Sequence, residues 1–495
     1  MNTDTDELAG FGYPQQLHRR LGGYASFAAG FSFVSILTTV FQLFAFGFSF
    51  GGPAFFWTWP LVFAGQLTVA FVFAELAARY PIAGCVYQWS RRIGTELVGW
   101  FAGWLMLIGQ IVSVAAAAIA LQVVLPSVWS GFQLVGGSPD LSTITGSTNA
   151  ILLAIVLVTV TTVINAVGVR LMALINSIGV TCELVGVAVL VALLFGHARR
   201  GPGVVFDTGG HSGYIWGFLI SALMAAYVMY GFDSAGELSE ETRAPRRTAP
   251  RAILRALYAS GIGGALLLVA ALVAAPSLTD GNLATGGLPY VLTSQLGTGL
   301  GRALLIDVAI AIAVCTLAIQ TAASRMVFSM ARDRMLPGHH VLGRVSPRTG
   351  TPIVPSVVVG VLALLILLIN LGQAQLFTAV TGVAVVIVYL AYLLVTVPTL
   401  IARLRGTLPQ ADRAHFSLGR WGVPLNVVAV LWGGFMVVDM GWPRAAVYDP
   451  SGTHWYLRWY APLLVGVVLA TGALLYRLRG RVRAPATAAA GAAAA

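Results

Sequence analysis

The sequence predicts an all-α polytopic membrane protein of twelve transmembrane helices. Of its 495 residues, 58% are hydrophobic and only 9% are charged, whereas soluble domains run near a quarter charged. Apolar runs of about 20 residues, the length a helix needs to cross a bilayer, recur along the whole chain. The arginines between these runs alternate, dense on one side and sparse on the other.

The spans are expected near residues 24–48, 54–78, 94–124, 149–168, 171–196, 213–240, 251–275, 299–331, 353–370, 374–404, 422–440 and 459–477. No lysine occurs, so all 29 basic residues behind the net charge of +11 are arginine. Twelve spans place 24 of them on the side of both termini; only Arg199, Arg200, Arg302, Arg444 and Arg458 fall on the other. Basic loops stay cytoplasmic, so both termini are expected there, with the chain in the plasma (inner) membrane. Topology thus accounts for the basic balance, and no nucleic-acid partner is expected.

Cys85, Cys182 and Cys315 lie in or beside apolar runs and imply no disulfide framework. The seven histidines fall in expected loops or tails, and no cluster has metal-ligand spacing. No cofactor or metal is expected. A phosphate-binding loop is absent from the sequence, which argues against an ATP-driven pump. Residues 1–20 read as a cytoplasmic tail without a signal peptide, and 481–495 as a low-complexity, disordered tail.

Span 6 breaks the pattern. The stretch YGFDSAGELSEETRAPRRTAP, Tyr230 to Pro250, puts Gly, Asp and Ser where lipid is still expected. Gly231 can end a helix, because it tolerates the left-handed backbone of C-terminal caps. Ser234 and Glu237 have capping-box spacing, which starts one. A stop and a restart inside one span free backbone groups that cannot face lipid. Such a gap offers carbonyls on one side and amides on the other, a device of secondary transporters. The bland reading is a glycine kink followed by solvated acids, with Glu240 and Glu241 at the interface and paired with arginine. Span 1 carries a weaker interruption, FAAGFSFVSILTTVFQ, with Gly30, Ser32, Ser35, Thr38 and Thr39 as a polar stripe. Ser and Thr can also simply bond back to carbonyls. Interrupted spans five apart are the signature of an inverted repeat.

The motif GFDSAGELSEETRAPRRTAPRAI resembles the span-6 signature of the amino acid–polyamine–organocation superfamily, in the form typical of its GABA permease and choline transporter branch. AELAARYPIAGCVYQWSRRIG (Ala74–Gly94), FSFGGPAFFW (Phe48–Trp57) and QTAASRMVFSMARDRMLP (Gln320–Pro337) resemble further segments of that family. The resemblance covers about residues 15–480. It implies a five-plus-five inverted repeat with discontinuous helices 1 and 6, two extra C-terminal helices and a central site worked by alternating access. It divides the transporter domain, 21–480, into spans 1–5 (24–196), 6–10 (213–404) and 11–12 (422–477).

Carried over, the substrate carboxylate meets the amides at Val34, Ser35 and Ile36, beside Gly30 and Phe31. The amine meets the carbonyls near Tyr230 and Gly231, and Tyr227 or Phe232 is the lid. Asp233 aligns with gating acids, or is a helix cap. Many relatives carry Gly-Ser-Gly at the span-1 break. Here Val34 and Ile36 crowd an α-carboxylate, which leaves room for ω-amino acids such as GABA or for quaternary amines held by aromatics.

Glu183 lies mid-span, where an ionised carboxylate is costly and a functional role is the default reading. It falls where proton-coupled relatives carry a lysine. The alternative is a protonated glutamic acid acting as a structural clasp. Thr321 and Ser324 of span 8 join Glu183 as coupling candidates. Gln110 and Tyr389 are candidate cavity groups, each open to an ordinary packing role. Glu75 is expected in a salt bridge, and Asp307 near the outer end of span 8.

The expected function is a secondary transporter for an amino acid or related small amine, proton-coupled or exchanging, and not an enzyme. A choline or polyamine transporter is the alternative, and a transporter-like solute receptor is the alternative of another class. The expected partners are the small-molecule substrate, the lipid bilayer and H+.

Overall fold

The computed structural model describes residues 8–210, 214–279, 281–369, 371, 376–409, 414–448, 452 and 455–483. Within hydrocarbon a backbone must satisfy its own hydrogen bonds, and helices do this within one segment. The apolar runs accordingly form helices. Among the described residues, one isolated β-type pairing occurs outside them, parallel, between Leu21 and Thr242.

The chain runs through α1 (Gly23–Val34), α2 (Ile36–Gly51), α3 (Thr58–Arg79), α4 (Cys85–Ile93), α5 (Glu96–Ile119), α6 (Leu121–Val128), α7 (Ile144–Val167) and α8 (Val169–Gly196). Then come α9 (Tyr214–Val228), the single turn α10 (Ser234–Glu237), α11 (Pro245–Ala274), α12 (Gly281–Arg332), α13 (His339–Leu342), α14 (Ile353–Ile369), α15 (Leu376–Leu404), α16 (Gly422–Gly441), α17 (Ala445–Tyr448) and α18 (Tyr460–Arg483). Among the described residues, ten helical segments are long and apolar enough to cross a membrane. Two shorter apolar helices, Tyr214–Val228 and Ile353–Ile369, complete the series.

Three boundaries differ from expectation. Span 6 stops being a regular helix at Val228, well short of residue 240, and only a turn and a 3-10 segment, Ser239–Glu241, follow its break. Span 8 is the C-terminal part of a longer helical stretch with left-handed glycines at Gly287 and Gly297. The last helix runs on to Arg483, past the expected start of the tail at 481; the rest of that tail, 484–495, lies outside the described residues, as does 1–7.

Close packing rests on glycine meeting tryptophan. A Cβ at Gly264 of α11 would lie 2.1 Å from the Trp59 ring of α3, whose Nε1 donates to the Gly261 carbonyl at 2.7 Å. The same logic holds α18 to α5. Trp100 and Trp104 donate to Gly472 and Val468 carbonyls at 3.0 and 2.8 Å, and a Cβ at Gly472 would collide with Trp104. Without a hydrophobic force between helices in lipid, such close approach and interhelical hydrogen bonds carry the association.

The segment before α1 is packed rather than trailing. Leu8 and Leu17 are buried. Gln15 donates to the Glu240 carbonyl at 2.9 Å, and Tyr13 donates to Asp333 at 2.8 Å. The Arg332 guanidinium stacks 3.9 Å from the Tyr13 ring.

Candidate functional site

Span 1 is interrupted at a single residue. Helix α1 ends at Val34, Ser35 takes φ 37° and ψ 100°, and α2 starts at Ile36. A positive φ in a residue with a side chain costs about 1–3 kcal/mol and persists only where its surroundings hold it. Here Glu183 of α8 holds it. Its Oε1 accepts from Ser35 Oγ at 2.9 Å and from the Leu37 amide at 3.0 Å. With its one proton given to Glu183, Ser35 Oγ accepts from the Thr38 hydroxyl, 2.6 Å away. A carboxylate at the first amides of a helix is favoured by both hydrogen bonding and the helix dipole. Cys315 of α12 donates to the Phe33 carbonyl at 3.5 Å from the other side.

Span 6 is interrupted over Met229–Asp233, between α9 and α10. Gly231 takes φ 88°. The freed backbone groups find side chains: Gln66 donates to the Met229 carbonyl at 2.9 Å, and the Gly231 amide donates to Tyr392 Oη at 2.9 Å. Tyr392 in turn donates to Asp233. Satisfied in this way, irregular backbone is tolerated deep inside a bundle.

The two breaks touch. Phe33 and Tyr230 meet edge to face, ring centroids 6.1 Å apart, and a Cβ on Gly231 would lie 1.9 Å from the Phe33 ring. Phe33 thus packs between the two breaks. Gly231→Ala should combine left-handed strain with overpacking and lose about 2–3 kcal/mol. Thermal unfolding of the purified variant checks this; wild-type stability would show that Phe33 moves aside freely.

Two details of the expected restart are also corrected. Ser234 and Glu237 do not form a capping box; the turn has no side-chain cap. Ser234 instead donates to the Ala29 carbonyl, and Glu237 accepts from the Gly84 amide at 2.8 Å. Glu240 and Glu241 are paired with arginine, as expected, but are wholly buried within the protein rather than solvated. Glu240 pairs with Arg332 at 2.8 Å and Glu241 with Arg325 at 2.9 Å, both arginines belonging to α12. Glu240 also accepts from the Ala83 amide. Asp333 gathers Tyr13, Tyr87, Gln88 and Arg91. Together these close the arginine-rich end. Glu75, as expected, pairs with arginines, Arg79 and Arg403.

On the opposite end a cavity of about 510 Å³ opens, lined in part by Phe41, Gln42, Gln122, Asp140 and Gly287. Gln42 lies seven residues after Ser35 on the same helix, a rise of roughly 10 Å.

The structure brings Ser35, Glu183, Tyr230, Gly231 and Asp233 to the two breaks. Tyr227 meets Tyr230 at 5.6 Å between ring centroids, and Tyr230 shares a 2.7 Å hydrogen bond with Ser113. Gln110 is buried with neither side-chain atom partnered. Tyr389 donates to the Ala226 carbonyl. Other candidates serve packing: Phe232 sits among Phe73 and Tyr392. Phe31 packs on Phe27, and Gly30 abuts Ala235. Val34 is buried, and Ile36 turns toward Gly263 of α11, which leaves it room. Of the two β-branched groups, Ile36 thus points into a helix contact. Thr321 and Ser324 are not beside Glu183: Thr321 donates to Asn165 of α7, and Ser324 accepts from Arg325.

Tyr392 and Ser113 escaped sequence reasoning. Tyr392 shares a helix face with Tyr389, three residues earlier, and that pairing was the available signal. Ser113 lies in an alanine-rich run that carries none.

A family model described as "Amino acid permease" matches residues 21–469. The chain is 27% identical to "Amino-acid permease BAT1" of Arabidopsis thaliana, over 87% of each chain. It is 27% identical to "Amino-acid permease BAT1 homolog" of Oryza sativa subsp. japonica, over 94% of this chain and 92% of the relative. It is 24% identical to "Amino-acid permease 2" of Neurospora crassa, over 96% and 87%.

Proposed function

Since the chain belongs to the amino acid permease family, whose members are multi-pass membrane transporters and not enzymes, we propose that it moves an amino acid or related small amine across the plasma membrane by alternating access. Twelve spans with both termini cytoplasmic, arranged as a five-plus-five repeat with two further helices, fit the reading. The observation that carries it is the pair of contacting helix breaks, at Ser35 and at Met229–Asp233, with the buried Glu183 carboxylate seated on the first. A cavity on the arginine-poor end and closed ion pairs on the other support a state open outward.

Glu183 is the proposed coupling group. One carboxylate oxygen is engaged at the break and the other, Oε2, has no partner. A group that can take and release a proton beside a strained hinge links protonation to the hinge's geometry. Its carboxylate already occupies the Leu37 amide, so a substrate carboxylate must share the helix start with it. This favours solutes whose carboxylate is remote from the amine, such as GABA, over a standard α-amino acid pose.

Uptake into proteoliposomes tests the proposal, using labelled amino acids, GABA, polyamines and choline with and without an inward proton gradient. Saturable, gradient-stimulated uptake of an amino acid or GABA is expected. Uptake confined to choline or polyamines would replace the substrate class. Binding without uptake would replace the transporter by a receptor.

A further inference from the structure

Resting on the reading of Glu183 as the coupling group, we propose that Asp307 is the outer relay through which the proton reaches it. The two carboxylates share one helix seam. Helix α8 presents Gly179, Glu183 and Gly186 toward α12. A Cβ at Gly179 would strike Val314, and one at Gly186 would lie 1.8 Å from Asp307 Oδ2. The helices run antiparallel in this register, so Glu183 lies between the two contacts. Gly186 is three residues further along α8, a rise of about 4.5 Å, and on the side away from the arginine-rich end. Asp307 is thus packed against the α8 backbone about one turn outward of Glu183.

Both carboxylates have a free oxygen at this seam. Glu183 is 1% exposed and its Oε2 is unpartnered; Asp307 Oδ2 is buried and unpartnered. Neither has an ion-pair partner among the described residues. A buried acid without a partner is expensive inside a membrane and marks proton pathways. Two acids lie a turn apart at this seam, and while Glu183 Oε1 holds the Ser35 break, its free Oε2 and Asp307 Oδ2 have no evident structural purpose. Helix association would be served as well by apolar side chains. Asp307 is half-buried whereas Glu183 is fully enclosed, so of the two it is the carboxylate nearer the surface of the bundle.

Few other groups at the seam can compete for the proton. Helix α8 itself contributes Cys182, next to Glu183 in the chain, and α12 contributes Arg302, five residues before Asp307, and Cys315, engaged at the Phe33 carbonyl. Helix α1 contributes Tyr24, which shares a hydrogen bond with Thr181. Helix α7 has no titratable side chain, and Tyr258 of α11 is turned to Phe63. In the relay, a hydronium ion on the outer side protonates the Asp307 carboxylate and leaves as water, and Asp307 passes that proton through a bridging water to the free oxygen of the ionised Glu183. Asp307 is left ionised for the next cycle, and charge balances at each step.

The test uses full-length protein in proteoliposomes, with labelled amino acids and GABA as solutes. Asp307→Asn should reduce accumulation driven by an inward proton gradient about tenfold, less than a positioned proton-transfer group usually contributes, because water can still reach Glu183 directly. Solute exchange at equal pH should be unchanged, and Asp307→Glu should restore accumulation. Gly186→Ala, which pushes the carboxylate off the seam without removing it, should reproduce the defect and covers the case in which Asp307→Asn fails to fold. Wild-type accumulation in Asp307→Asn, while Glu183→Gln loses it, would overturn the relay and leave the coupling role of Glu183 standing. Wild-type accumulation in Glu183→Gln would overturn both. Equal loss of exchange and accumulation in Asp307→Asn would show a structural role and also overturn the relay.

Discussion

Glu241→Gln is expected to destabilise the protein by about 3–5 kcal/mol, the usual cost of removing one partner of a buried ion pair. Glu241 and Arg325 are respectively 0% and 1% exposed at their side chains. The guanidinium places two nitrogens on Glu241 Oε1, at 2.9 and 3.1 Å. A neutral amide would leave the Arg325 charge with little more than Ser324 Oγ for compensation. The penalty is therefore the desolvated cation, not the lost bond. The double variant Glu241→Leu with Arg325→Met should recover most of the stability, because apolar replacements of both partners remove the orphan. Thermal unfolding of the purified variants in detergent reads both. A single variant that melts with the wild type would mean that water reaches Arg325 and that this end is less tightly closed than its packing indicates.

Glu183→Gln is expected to keep solute exchange and lose gradient-driven accumulation on the order of 100-fold, the lower range for a positioned proton-transfer group. The amide retains shape and can still accept from Ser35 and the Leu37 amide, so the break at Ser35 survives. It cannot carry a proton. Glu183→Ala should lose exchange as well, because Ser35 Oγ and the Leu37 amide are then left buried without their acceptor. A purely structural clasp predicts another pattern: Gln silent in both assays and Ala unstable. Accumulation by the Gln variant at wild-type level, with wild-type pH dependence, would sink the coupling role.

What could be read from the sequence follows from where the physics is local. The all-helical membrane character and the place of both breaks depend on apolar length, on Gly231 and on the Ser35 stripe, all visible in a short window. Glu183 was visible because a mid-span acid has no cheap explanation. Partnerships across the bundle were not visible. Glu240 and Glu241 look like surface acids beside Arg243 and Arg246 in the sequence, yet they bond to arginines of α12 some 90 residues away. The capping-box reading of Ser234 and Glu237 failed for the same reason. The Gly84 amide competes for the glutamate, and the α1 carbonyl competes for the serine. Helix spacing also could not say that Ile36 turns to a glycine, because that depends on which neighbour is small.

The segment ahead of α1 has a consequence for biogenesis. Tyr13 reaches its acceptor Asp333 across 320 residues of chain, and Gln15 reaches the Glu240 carbonyl across 225. A ribosome adds about 5–20 residues per second, so the first of these contacts waits on the order of 20–60 s after Tyr13 is made. During that interval Leu17, which packs against Phe328 of α12, has no complete site to occupy, and the emerging amino-terminal stretch is open to chaperones and proteases. Its docking is completed late in assembly, once Asp333 at the end of α12 is in place. A bulky fusion placed ahead of Leu8 would slow that step and lower the yield of mature protein without altering any span.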